Sequence, residues 1–143
     1  MTNLEEKYNL LTLTFEDLIE KLGISKENVL LVGSLALFAH GFPVEGISDV
    51  DAEIKNLNPD QVQKLLLLAS ANAGTEYSSS VDRIDVIYKN IKMNLWVVSD
   101  FTHSFCYKNY FKVAEPLSVL KVKLSYGRKK DLSYLRYLLT KLV

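Results

Sequence analysis

Between Asn28 and Lys55 the chain runs through an order of residues that few folds accommodate. The apolar run Asn28 to Val32 reads as a buried strand and ends at Gly33-Ser34. A helix-forming stretch, SLALFAHG, closes at Gly41, a Gly/Pro-punctuated loop follows, and Asp49 to Lys55 alternates like a strand carrying Asp-x-Asp. Gly33 lets the backbone turn sharply from strand to helix, and Ser34 stands where backbone N–H groups and a hydroxyl can meet an anion. Residues i and i+2 of a strand share a face, so Asp49 and Asp51 present their carboxylates together. Two like charges so close need a counter-charge. Mg²⁺ suits the role, since it takes one or two carboxylates and fills its shell with phosphate oxygens and water. A phosphate cradle beside a carboxylate pair is the equipment of phosphoryl or nucleotidyl transfer.

The remaining chain supplies alternating helices and strands. Thr14 is the expected N-cap of an amphipathic helix ending at Gly23, and Asn58 caps a helix opened by Pro59. Thr75 to Ser80 reads as loop, and RIDVIYK and IKMNLWVV read as a hairpin turning at Asn90. The segment from Ser99 to Val113 fits no single pattern. Pro116 opens another helix, and a last one carries Leu132, Leu135, Leu138 and Leu139 on its inner face. With 143 residues, 48% of them hydrophobic, one α/β domain spanning 1–143 is expected, with a short mixed sheet and helices mainly on one face.

Seventeen basic residues balance seventeen acidic ones, which disfavours a nucleic-acid or membrane-surface role driven by net charge. The single cysteine, Cys106, excludes an internal disulfide framework, and the first residues lack signal-peptide character, so a cytoplasmic location is expected. Cys106 has no base beside it in sequence and is expected to be buried. His40 and His103 are isolated and suit packing or hydrogen bonding. Tyr107, Tyr110 and Phe111 with Lys108 and Lys112 suit core and rim positions better than base stacking.

The pattern Val32-Gly33-Ser34 with Ser48-Asp49-Val50-Asp51 resembles the DNA polymerase β-type nucleotidyltransferase superfamily. It is most similar to small bacterial and phage members of abortive-infection or toxin–antitoxin type. The likeness extends over roughly residues 29 to 139 and includes Lys123, Gly127-Arg128 and Lys130-Asp131-Leu132; Tyr134 departs from the acidic residue frequent there. The resemblance implies a metal-dependent transfer of a nucleoside monophosphate from an NTP to a hydroxyl of a protein, tRNA or small-molecule acceptor. Mg²⁺ or Mn²⁺ would sit on Asp49 and Asp51, with Gly33, Ser34, Lys123 and Arg128 on the nucleotide. It also implies a third carboxylate on a neighbouring strand. Asp85 fits that position by its hydrophobic neighbours, but a different hairpin register puts Asn94 there, and an amide neither neutralises a cation nor accepts a proton; Asp82 is a third candidate. With Asn94 in place the protein would be a weak or inactive enzyme, acting instead as a module that binds a partner protein, as an antitoxin or regulator does.

Overall fold

The computed structural model describes residues 3–42, 44, 46–68, 76–77, 81–108, 110–125, 136–137 and 140. The elements, in order, are α1 (Asn3–Lys21), β1 (Val29–Leu31), α2 (Gly33–Ala39), β2 (Asp49–Lys55), α3 (Pro59–Leu68), β3 (Glu76–Tyr77), β4 (Val81–Tyr88), β5 (Ile91–Val98), β6 (Phe105–Lys108), β7 (Phe111–Ala114) and α4 (Pro116–Ser125). The strands form one mixed sheet in the order β3-β4-β5-β2-β1-β7-β6. The pairs β2–β5 and β1–β7 are parallel, and the other four are antiparallel.

Local chemistry explains most boundaries. Lys89 and Asn90 both take positive φ, 49° and 66°, which is what a two-residue hairpin turn between twisted strands demands. At α3, Asn58 Oδ1 accepts from Gln61 N at 2.8 Å while Gln61 Oε1 accepts from Asn58 N at 3.1 Å, a reciprocal cap.

Two expectations from the sequence are corrected, and one open segment is settled. Thr14 is not an N-cap: α1 begins at Asn3, because Leu4, Tyr8 and Leu11 extend the apolar stripe of Phe15, Leu18 and Ile19 upstream, and Thr14 Oγ1 instead donates back to Leu10 O at 2.7 Å. Residues 76–77, expected in a loop, pair antiparallel with β4. The undecided stretch after Ser99 resolves into the β6–β7 hairpin. The expected C-terminal leucine helix lies almost wholly outside the described residues.

The two faces of the sheet differ in kind. Val50, Ala52 and Ile54 on β2, Met93 and Leu95 on β5, and Ile84 and Val86 on β4 are buried on one face. Tyr88, on that same face, donates its hydroxyl to Asp17 of α1, so α1 lies over it and adds Leu11, Phe15, Leu18 and Ile19 to the core. The opposite face carries the odd-numbered residues of β2 and β4 and the even-numbered residues of β5. Its polar row is where the candidate site forms.

Candidate functional site

The first half of the site is a turn. Val32 is extended, with its N–H donating to Asp51 O at 2.9 Å, and Gly33 then adopts φ +66° to start α2. A Cβ at Gly33 would stand 2.6 Å from Asp51 Oδ2, closer than any side chain allows. Glycine is therefore required twice, for its left-handed backbone and for the space it leaves to Asp51. One residue on, Ser34 Oγ accepts a hydrogen bond from Lys123 Nζ at 3.0 Å. Lys123 is buried, brought there by the packing of α4 on α2.

The second half is a cross-strand row. Asp51 on β2 faces Asn94 on the parallel neighbour β5, and Asn94 faces Asp85 on β4. Asn94 Nδ2 donates to Asp51 Oδ1 at 2.8 Å. Asp85 lies one strand further out, held by Arg83 through Nε at 2.8 Å and Nη2 at 3.1 Å. The position beside Asp51 is thus filled by the amide of Asn94, and Asp85 does not adjoin the Asp49/Asp51 pair. The register decides this: β5, not β4, is hydrogen-bonded to β2. Asp82 pairs in register with Val97, and Arg128 lies outside the described residues.

Burial raises the Asp51 carboxyl above the ordinary aspartate range. The Asn94 hydrogen bond opposes the rise, the Asp49 charge adds to it, and the charges of Lys123 and Arg83 oppose it. A half-buried carboxylate beside another carboxylate gains from a cation. Two carboxylates on one face are the hard oxygen donors that a divalent ion takes, so Asp49 and Asp51 would suit one. Among the described residues no group of three His, Cys, Asp or Glu side chains converges as a ready-made metal cluster.

The other singled-out residues serve structure. His40 Nε2 lies 3.0 Å from Ala114 O, and His103 Nδ1 2.5 Å from Ser118 Oγ. Cys106, expected to be buried with no base nearby, is half-buried with its sulfur 3.9 Å from His40 Nε2, because β6 folds back beside the end of α2. The two line a cavity of about 490 Å³ with Phe42, Glu115, Leu117 and Tyr137. That cavity sits at the ends of α2 and α4 opposite Ser34 and Lys123. Phe111 is buried and stacks on Phe15 at 6.0 Å, whereas Lys112 pairs with Glu27 at 3.1 Å. A further residue on the site face is Arg83, whose Nη2 also reaches Asn94 Oδ1 at 3.4 Å; the Arg-x-Asp spacing on β4 puts both charged side chains on that face.

Among solved structures, the chain aligns over 99% of its length with 96% of TM1012, a candidate nucleotidyltransferase of Thermotoga maritima, at 17% identity and a TM-score of 0.57. The chain has the nucleotidyltransferase fold. Two Helicobacter pylori structures, a candidate nucleotidyltransferase and JHP933, align with 87% and 85% of this chain at 15% and 13% identity, each with a TM-score of 0.47. The chain spans 59% and 58% of their respective lengths. No family model and no curated protein matches the chain. Within this nucleotidyltransferase fold, the Gly33 turn and the Asp-x-Asp strand meet on the polar face of the sheet. Among the described residues, no helix is long and apolar enough to cross a membrane.

Proposed function

We propose that this domain binds an NTP with Mg²⁺ or Mn²⁺ and transfers its nucleoside monophosphate to a hydroxyl of an acceptor. The observation that carries the reading is the meeting of both halves at one point: Asp51 Oδ2 packs against Gly33 while Lys123 reaches Ser34. Asp49 and Asp51 would hold the cation. Ser34 and Lys123, with Arg128 from the sequence motif, would hold the phosphates, where a buried ammonium is worth more than an exposed one. In the reaction the acceptor oxygen bonds to the α-phosphorus as it releases its proton to solvent water, and the bond to the pyrophosphate oxygen breaks, with pyrophosphate taking the electron pair. A cation held by Asp49 and Asp51 would supply positive charge to the phosphate oxygens on which negative charge develops. A protein side chain, a tRNA end or a small molecule is the acceptor class.

Asn94 favours a second reading. An amide has no lone pair basic enough to take the acceptor proton, and it brings no charge toward a cation. A nucleotidyltransferase-fold module with weak or no transfer activity, binding a partner protein as an antitoxin or regulator does, fits that residue better. Nucleotide titration with and without Mg²⁺ tests the shared part: binding should require the metal and disappear in Asp49→Ala and Asp51→Ala. Binding unchanged by both substitutions ends the proposal. Incubation with labelled NTPs and a lysate separates the readings: labelled macromolecules support the enzyme, and binding without label supports the module.

A further inference from the structure

Four side chains on three adjacent strands form a hydrogen-bonded chain in which Arg83 donates both ways, to Asp85 on one side and toward Asn94 and Asp51 on the other. Asp85 accepts two bonds from the Arg83 guanidinium, at 2.8 and 3.1 Å. Arg83 Nη2 approaches Asn94 Oδ1 at 3.4 Å, and Asn94 Nδ2 donates to Asp51 Oδ1 at 2.8 Å. Arg83 also lies over the Trp96 ring, 5.4 Å from its centre. Two parallel bonds to one carboxylate and an aromatic floor hold a guanidinium in a single orientation.

An asparagine amide can present either end to a neighbour, so what lies on its far side decides which. Turned over, Asn94 would set its N–H against the guanidinium, donor to donor, and its oxygen against the Asp51 carboxylate, acceptor to acceptor. Both ends of the chain therefore select the same arrangement. We propose that Arg83 is a positioning residue: oriented by Asp85, it locks the Asn94 amide so that an N–H, and not the carbonyl oxygen, faces Asp51. The lock has a consequence for the cation, and this part rests on the reading of Asp49 and Asp51 as its ligands. Asp51 Oδ1 accepts one bond from the amide and keeps a second lone pair, while the Asn94 oxygen, an acceptable ligand for a hard cation, is turned toward Arg83. Arg83 thus keeps the Asn94 oxygen from joining Asp49 and Asp51 as a third protein ligand.

The full chain tests this in two steps, using Arg83→Met, Asn94→Ala, their double variant and Asp85→Asn, with thermal melts confirming that each folds. Asp85→Asn keeps the guanidinium while loosening its anchor, and it carries the test should Arg83→Met fail to fold. In metal-free protein, the side-chain amide protons of Asn94 should exchange slowly by NMR and at least about threefold faster in Arg83→Met and Asp85→Asn. Mn²⁺ titration followed by EPR should then show binding at least about threefold tighter in Arg83→Met. The same change made in the Asn94→Ala background should have a clearly smaller effect. An equal effect in both backgrounds would mean that Arg83 acts only as a charge, and unchanged amide exchange would mean that it holds nothing; either overturns the proposal. If no variant binds Mn²⁺, the cation reading fails, and the exchange rates still decide the role of Arg83.

Discussion

Asn94 donates a side-chain hydrogen bond to Asp51 across the parallel pair β2–β5, at 2.8 Å, from the register position directly opposite it. The first prediction changes that residue. Asn94→Asp places a third carboxylate beside Asp51, which costs stability without metal, since like charges directly across strands repel. Its melting temperature should fall below wild type in EDTA and recover with Mg²⁺. Any transfer of labelled nucleotide should rise, by about 10²-fold where the new group takes the acceptor proton. Equal melting behaviour with and without Mg²⁺ would show that no cation binds there.

Gly33→Ala meets two obstacles, a φ of +66° and a Cβ 2.6 Å from Asp51 Oδ2. The backbone alone costs about 1–2 kcal/mol, and Asp51 must also move. Chemical denaturation should show a loss of at least that size, together with weakened Mg²⁺-dependent nucleotide binding. Gly46, whose added Cβ would meet nothing within 4 Å, is the control: Gly46→Ala should leave nucleotide affinity unaltered.

Lys123→Met retains most of the buried aliphatic volume but removes the ammonium that reaches Ser34 at 3.0 Å. A charged hydrogen bond of this kind is worth about 1.5–3 kcal/mol, so NTP affinity should drop about 10- to 100-fold. Isothermal titration of the folded variant measures it, and a change under twofold would remove Lys123 from the nucleotide site.

Stability at acid pH should depend on Asp17. The Tyr88 hydroxyl, then Lys89 at 2.9 Å, lower its carboxyl below the ordinary aspartate range. A group depressed in the folded state contributes stability that is fully present above its unfolded value, near pH ~4, and lost as pH falls through the folded value. Wild type should therefore outmelt Asp17→Asn at pH 6, with the gap narrowing only below about pH 4. A gap constant down to pH 2 would rule out this linkage.

Local signals made half the site legible in the sequence. The Gly33 turn, the Asp49-Val50-Asp51 alternation and the Asn58 cap depend on neighbours a few residues away, and each lies where the spacing puts it. The neighbour of Asp51 depends on which hairpin strand reaches β2, forty residues along, and no periodicity encodes that. Both strands alternate, and each offers a polar residue at the same level, Asp85 opposite Asn94. The contact of Cys106 with His40 was hidden for the same reason, being made by a strand that returns from far along the chain. The start of α1 was missed differently: Thr14 looks like a cap, but the apolar stripe before it continues the helix, and packing outweighs a local preference.

The insertion of β5 between β4 and β2 also sets the order in which the molecule can be made. Asp49 and Asp51 leave the ribosome well before Asn94, and a parallel partner cannot pair with β2 until the whole intervening crossover has been synthesised and closed. Until then the two carboxylates lack their amide neighbour. Contacts so distant in sequence close large loops and slow folding. A pulse-labelled nascent chain should acquire protection along the β5-facing edge of β2 only after residue 98 has emerged.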